Sequence, residues 1–160
     1  MWIKWGLPTM ETKTRPLPRI LYIEDNADAR SLVGRLMAGR YFMVEAKDPI
    51  IGMELAEKTR PDLVLLDLNL PTMNGMQVIT RLLHILKPGT PVVALSADSD
   101  SEMRERARKA GFSAFLNKPL NIDEFFDLLN TLLYPKSPVC DDPGHSTKPT
   151  PPKVSGHYSA

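Results

Sequence analysis

One cysteine, Cys140, is all that the sequence offers to oxidative cross-linking, so no disulfide can close within the chain, a pattern that suits a reducing compartment. Long apolar runs are missing as well. None approaches the roughly 20 residues that a bilayer-spanning helix needs. The start, Met1-Trp2-Ile3-Lys4-Trp5-Gly6, has neither the apolar run nor the small-residue cleavage site of a secretory signal. The expected location is the cytoplasm, with no membrane partner. Charge of one sign is also lacking: 20 Lys+Arg stand against 19 Asp+Glu. From Arg19 to Tyr134 the balance is 14 basic to 16 acidic residues, and the basic excess lies in the two tails. A nucleic-acid surface needs a concentrated positive stripe, so direct nucleic-acid binding is not expected. Zinc-type ligands are equally scarce. Cys140, His145 and His157 sit in a proline-rich tail at spacings that match no compact zinc motif. His84 falls within a predicted helix, where a surface or core role is expected.

What is present is an apolar content of 42%, ordinary for a soluble domain, in a length that fits one core with tails. Residues 1–18 hold three prolines and no sustained period, and read as a flexible N-terminal leader. Residues 135–160 hold six prolines and almost no large apolar side chains. Such a segment cannot bury enough surface to offset its ordering entropy, so a disordered tail is expected there.

Between the tails, over 19–134, short apolar runs alternate with amphipathic segments. The runs are Ile20–Ile23, Phe42–Ala46, Leu63–Leu66, Val92–Leu95 and Ala114–Leu116. Continuous rather than alternating apolar runs indicate strands covered on both faces, as in a parallel sheet. Helices are predicted from about Asp28 to Ala38 with Gly39 as stop, and from Asp48-Pro49 to before Pro61. Three more are predicted over Gly75–Leu86, over Ser99–Ala110 with Gly111 as stop, and after Asn121 to about Leu133. Strict alternation predicts an α/β fold: a five-stranded parallel sheet, doubly wound, with five helices.

In such a sheet the functional crevice lies at the carboxyl ends of the strands. Glu24, Asp25, Asp67, Ser96 and Lys118 all fall at such ends. Two carboxylates about 4 Å apart repel by roughly 4 kcal/mol at an effective dielectric near 20, so gathering three acids calls for counter-charge. Lys118 supplies one positive charge and a hard divalent cation would supply the rest. Magnesium, which takes one or two carboxylates, keeps waters and completes its shell with phosphate oxygens, suits the set better than calcium or zinc. A carboxylate beside it can attack phosphorus to form an acyl phosphate, with metal and lysine neutralising the transferring group. Ser96 can donate its hydroxyl to a further oxygen. Singly, each residue also has a plain reading: Asp25-Asn26 as a helix cap, Ser96 and Lys118-Pro119 as turn residues.

From about Arg19 to Leu133 the chain resembles the receiver domain of bacterial two-component response regulators. The residues that carry the likeness are Ile20-Leu21-Tyr22-Ile23-Glu24-Asp25-Asn26, Leu65-Leu66-Asp67 with the turn through Gly75, Ala94-Leu95-Ser96-Ala97, and Phe115-Leu116-Asn117-Lys118-Pro119-Leu120. The wording of the first and fourth strand motifs is similar to receivers attached to, or serving, hybrid sensor kinases, while the short stretch expected after the domain resembles stand-alone chemotaxis-type regulators. The resemblance implies a flavodoxin-like sheet and Mg2+ as cofactor. It implies that Asp67 accepts a phosphoryl group from the phosphohistidine of a sensor histidine kinase or histidine phosphotransfer protein. Asp25, Asp67 and the carbonyl of Asn69 would hold the metal, with Glu24 acting mainly through a metal water. Ser96 and Lys118 would grip the phosphoryl oxygens, and the peptide bond to Pro119 would be cis. Phe115 would be the switch aromatic that turns inward as Ser96 moves; it lacks the hydroxyl of the Tyr that many relatives carry.

The read-out surface implied by the resemblance is about Ser99 to Leu133, where Arg104, Arg106, Arg108 and Lys109 cluster. They read either as a solvated face balanced by Glu102 and Glu105 or, through Arg104 and Arg108, as a docking surface for a downstream protein target. The 26 residues after Tyr134 are expected to be too short for a DNA-binding or enzymatic module, so relay or protein–protein signalling is the expected output. Catalysis would be confined to the domain's own aspartyl phosphorylation and dephosphorylation. Three other readings compete. A phosphorylation-independent interaction module would share the fold, but such relatives usually lack one of the acids or the lysine. A phosphatase of the haloacid dehalogenase type would place two aspartates two apart at the end of its first strand, where this chain has Glu24-Asp25. A flavin-binding protein would need a Ser/Thr/Gly-rich loop after that strand, and Asn26-Ala27-Asp28-Ala29-Arg30 is not one.

Overall fold

Apolar runs become strands where they were expected, and each is followed by a capped helix. The computed structural model of the protein describes residues 16–98 and 100–135. The leader expected over 1–18 therefore lies outside the described residues except for 16–18, and the tail expected over 135–160 except for Pro135. The elements are β1 (Arg19–Ile23), α1 (Ala27–Met37), β2 (Phe42–Ala46), α2 (Pro49–Thr59), β3 (Leu63–Asp67), α3 (Gly75–Ile85), β4 (Val92–Ser96), α4 (Ser101–Ala110), β5 (Ala114–Asn117) and α5 (Ile122–Leu133). No helix of the described residues is long and apolar enough to cross a membrane.

The five strands form one parallel sheet in the order β2-β1-β3-β4-β5. Winding reverses between β1 and β3, and the carboxyl ends of strands on either side of such a switch point frame the ligand crevice of an open sheet. Side chains alternate between two cores. Leu21, Ile23, Val64, Leu66, Val92 and Ala94 pack toward α2, α3 and α4, in one cluster with Ala56, Val78, Ile79, Leu82 and Ala107. Ile20, Tyr22, Leu63, Leu65, Val93 and Leu95 pack toward α1 and α5, with Val33, Met37, Phe125 and Leu129. Strands β3 and β4 are buried at every residue. β2 departs from the continuous burial expected of it: it is an edge strand, Phe42 and Glu45 are exposed, and only Ala46 is fully buried. One neighbour instead of two leaves that strand half in water.

Helix starts follow side-chain chemistry. Asn26, Asp48, Asn74, Asp100 and Asn121 each accept backbone N–H groups of the first turn. α4 thus begins at Ser101 behind its Asp100 cap, and the earlier start expected at Ser99 lies outside the described residues. Gly111 stops α4 at φ 107°, a left-handed conformation open to glycine at no steric cost. β3 and β4 run one residue further than their apolar runs, so that Asp67 and Ser96 are themselves the last residues of their strands.

Candidate functional site

Setting tyrosine aside, the buried polar or charged residues among the described ones are Glu24, Asp67 and Ser96, each at most 3% exposed. All three stand on the carboxyl edge of the sheet. Strand geometry explains this: β3 and β4 are covered on both faces, so their last side chains emerge into the crevice between the flanking loops. Glu24, the residue after β1, is fixed by its own N–H, which donates to the carbonyl of Ala46 on β2 at 3.0 Å.

Glu24 is held on every side. Tyr22 donates its hydroxyl to Oε2 at 3.0 Å, the Asn26 N–H donates to Oε1 at 3.2 Å, and Lys118 Nζ pairs with Oε2. Lys118 also reaches Asp67 Oδ2 at 3.1 Å, while Asp67 Oδ1 accepts the Asn69 N–H at 3.1 Å. Asp25 is exposed. One carboxylate oxygen from each of Glu24, Asp25 and Asp67 can be chosen such that all three lie within 4.8 Å of one another. Against three carboxylates stands one ammonium, so the cluster carries a residual negative charge in a largely desolvated place. Burial by itself lowers the affinity of Lys118 for its proton. The hydrogen bond to Glu24 and the charges of Asp67 and Glu24 outweigh that, and the lysine titrates above its ordinary range. Burial first, then the Glu24 carboxylate, pushes the Tyr22 hydroxyl far up, so it remains a donor.

Hard oxygen donors, an uncompensated double negative charge and one acid open to solvent are the donor chemistry that Mg2+ takes. The residues present fit that ion. Ser96 accepts the Asp98 N–H at 3.1 Å on Oγ, which leaves its hydroxyl proton free to donate. The Lys118–Pro119 peptide is cis. Lys118 N–H donates to the Ser96 carbonyl at 2.7 Å, so the ends of β4 and β5 are stitched together next to the site.

Phe115 is half-buried on β5, packed on the α2–α3–α4 side. Ala94 pairs with Phe115 and Ser96 with Asn117. Of the two arginines read as a docking pair, Arg108 donates to both carboxylate oxygens of Glu105 at 2.9 and 2.8 Å, and Lys109 joins the same acid at 3.6 Å. Arg104 instead stacks its guanidinium 5.2 Å from the centroid of the Phe115 ring. Glu105 alone balances the cluster; Glu102 forms no ion pair among the described residues.

Several contributors escape a reading of the sequence. Tyr22 bonds Glu24; a tyrosine inside a fully buried strand needs a partner for its hydroxyl, and that was the available signal. Arg30 donates to the carbonyls of Glu24 and Asp25 at 2.6 and 3.0 Å and pins the β1–α1 loop, with no signal in the local sequence. Gly75 is required by close approach: a Cβ there would lie 2.9 Å from the Leu68 Cα and 3.0 Å from the Asp67 carbonyl oxygen. Its signal was the Asn74-Gly75 turn.

Comparison with known proteins agrees with this geometry. A family model described as the response regulator receiver domain matches residues 20–130. The transcriptional regulatory protein PdtaR of Mycobacterium tuberculosis is 34% identical over 119 residues, 73% of this chain and 57% of that protein. Hybrid signal transduction histidine kinase D of Dictyostelium discoideum is 30% identical over 108 residues, 67% of this chain and 7% of that protein. The chain thus spans just over half of one of these relatives and a small part of the other. In fold it is similar to the chemotaxis protein CheY4 of Vibrio cholerae, with a TM-score of 0.68 at 24% identity, over 74% of this chain and all of that one.

Proposed function

The chain belongs to the response regulator receiver family, and on that premise we propose that Asp67 is its phosphoacceptor, charged by a phosphohistidine of a sensor kinase or histidine phosphotransfer protein. The observation that carries this reading is the buried Asp67 carboxylate at the end of β3, bonded to Lys118 and grouped with Glu24 and Asp25. In the transfer an Asp67 oxygen attacks phosphorus. The O–P bond forms as the P–N bond to the donor imidazole breaks, and the imidazole keeps that electron pair. Lys118, held protonated, acts as a fixed positive charge for the phosphoryl oxygens and not as a base. The Ser96 hydroxyl donates to another of those oxygens. Asp25, Asp67 and the Asn69 carbonyl would hold Mg2+, with Glu24 acting through a water; when bound, the ion supplies the remaining neutralisation of the transferring group.

Glu24 already has partners on both oxygens, which favours that indirect part over direct ligation. Phe115 serves as the switch aromatic and the α4–β5–α5 face as the surface read by a protein target. The work is signalling in the cytoplasm, with the chemistry limited to gain and loss of the domain's own phosphoryl group. The test is intact-protein mass after incubation with Mg2+ and acetyl phosphate, beside Asp67→Ala. A gain of one phosphoryl mass that needs Mg2+ and vanishes in the variant is expected. An equal gain in Asp67→Ala moves the acceptor elsewhere. No gain, with no Mg2+-dependent response to beryllofluoride, points to a phosphorylation-independent interaction module.

A further inference from the structure

Among the described helices, α4 has the fewest buried residues. Ala107 is its one buried residue, with Met103 and Ala110 half-buried beside it. A helix with so few buried apolar contacts opens at low free energy. Arg104 adds a hold of a different kind, since its guanidinium covers the Phe115 ring. The neighbouring cations Arg108 and Lys109 are taken up by Glu105. Arg104 has no carboxylate within 4.0 Å among the described residues, so the ring is the contact through which it engages the sheet. Strand alternation puts Phe115 and Asn117 on the face that α4 covers, and register sets Asn117 beside Ser96.

We infer that Arg104 is a positioning residue for the switch: by stacking on Phe115 it holds the ring in its half-exposed place under α4. It thereby sets how readily the ring leaves when Ser96 is engaged. The inference rests on the proposed parts of Ser96 and Phe115, and it separates Arg104 from Arg108, which the sequence groups together. A cation–π contact at an exposed site biases such an equilibrium roughly two- to fivefold. Because Phe115 has no hydroxyl, this contact takes the place of any hydrogen bond as the ring's tie to α4.

The experiment places 4-fluorophenylalanine at position 115 of the full chain and follows its fluorine resonance with no phosphodonor present. Saturation transfer gives the population of the second ring position. Arg104→Ala is expected to raise that population two- to fivefold, Arg104→Lys to give an intermediate value, and Arg108→Ala to leave it unchanged. Equal populations in Arg104→Ala and the parent overturn the inference, as does an equal rise in Arg108→Ala. Arg104→Lys keeps the charge without the planar guanidinium and guards against a variant that merely unfolds. Since the measurement is made without phosphorylation and repeated in Asp67→Ala, a failure of Asp67 to accept phosphate leaves its result untouched, and the two failures stay distinguishable.

Discussion

Helices α3 and α4 cover the same face of the sheet and are held on in opposite ways. α3 buries Gly75, Val78, Ile79 and Leu82, whereas α4 buries Ala107. Each follows a strand that ends in a buried site residue, Asp67 before α3 and Ser96 before α4. Asp67, the proposed acceptor, is therefore anchored next to a tightly packed helix and clamped by Lys118. The serine leads instead into a helix with little to hold it in place. Under the proposed function, one half of the site stays still for chemistry and the other is free to respond to it.

Removing the clamp is the most severe way to break that contrast. Lys118→Met leaves Glu24 and Asp67, both nearly inaccessible, facing each other without a cation. Taking one partner from a buried ionic cluster typically costs about 3–5 kcal/mol. Urea unfolding at pH 7 should show a loss of that order, partly restored by millimolar Mg2+ and by mild acid. A variant as stable as the parent, indifferent to Mg2+, would mean that the cluster does not hold this half together.

Packing comes next. Leu82 is fully buried in the core under α3, so Leu82→Ala should lower global stability by about 2–5 kcal/mol. The measurement is again the urea midpoint at constant slope. A smaller loss would show that α3 is less tightly held than its burial says.

The clamp also predicts an alkaline limit. In the folded protein Lys118 and Tyr22 both titrate above their ordinary values. A group raised on folding contributes stability that is complete below its unfolded pKa and is lost as pH climbs toward the folded one. For these two groups the decline begins at about pH 10. Tyr22→Phe removes one of them, so its stability should fall less steeply between pH 9 and 11.5. The lost hydrogen bond to the Glu24 carboxylate should lower its stability near pH 8 by about 1.5–3 kcal/mol. Parallel curves for parent and variant would contradict the assignment.

Much of this site is legible in the sequence, for a physical reason. An apolar run that must be covered on both faces can only end at the rim of the sheet, so an acid placed directly after it has one place to go. That logic locates Glu24, Asp67 and Lys118 together although Glu24 and Lys118 are 94 residues apart. It fails at β2, where the run is real but the strand has one neighbour, because strand order is a property of the whole sheet. It also fails for Arg30, and for Arg104 over Phe115. A long side chain at a helix surface has several partners within reach, and packing of the finished fold selects one.

The smallest predicted effect bears most directly on the looser half. Met103 is half-buried beside Ala107, so Met103→Ala should lower global stability by about 1 kcal/mol or less, well below the loss expected at Leu82. What it should change is local. Amide hydrogens of α4 exchange through an opening of that helix alone if burial there is as slight as it looks, and through global unfolding if it is not. In the parent, α4 amides should exchange faster than those of α3, and Met103→Ala should quicken α4 while leaving α3 nearly as it was. Arg104→Ala should act on the same amides, since the ring contact and the methionine hold one helix. If α4 proves as protected as α3, the helix after Ser96 is no looser than the helix after Asp67. The difference between the two halves of the site must then lie in the serine and the phenylalanine themselves.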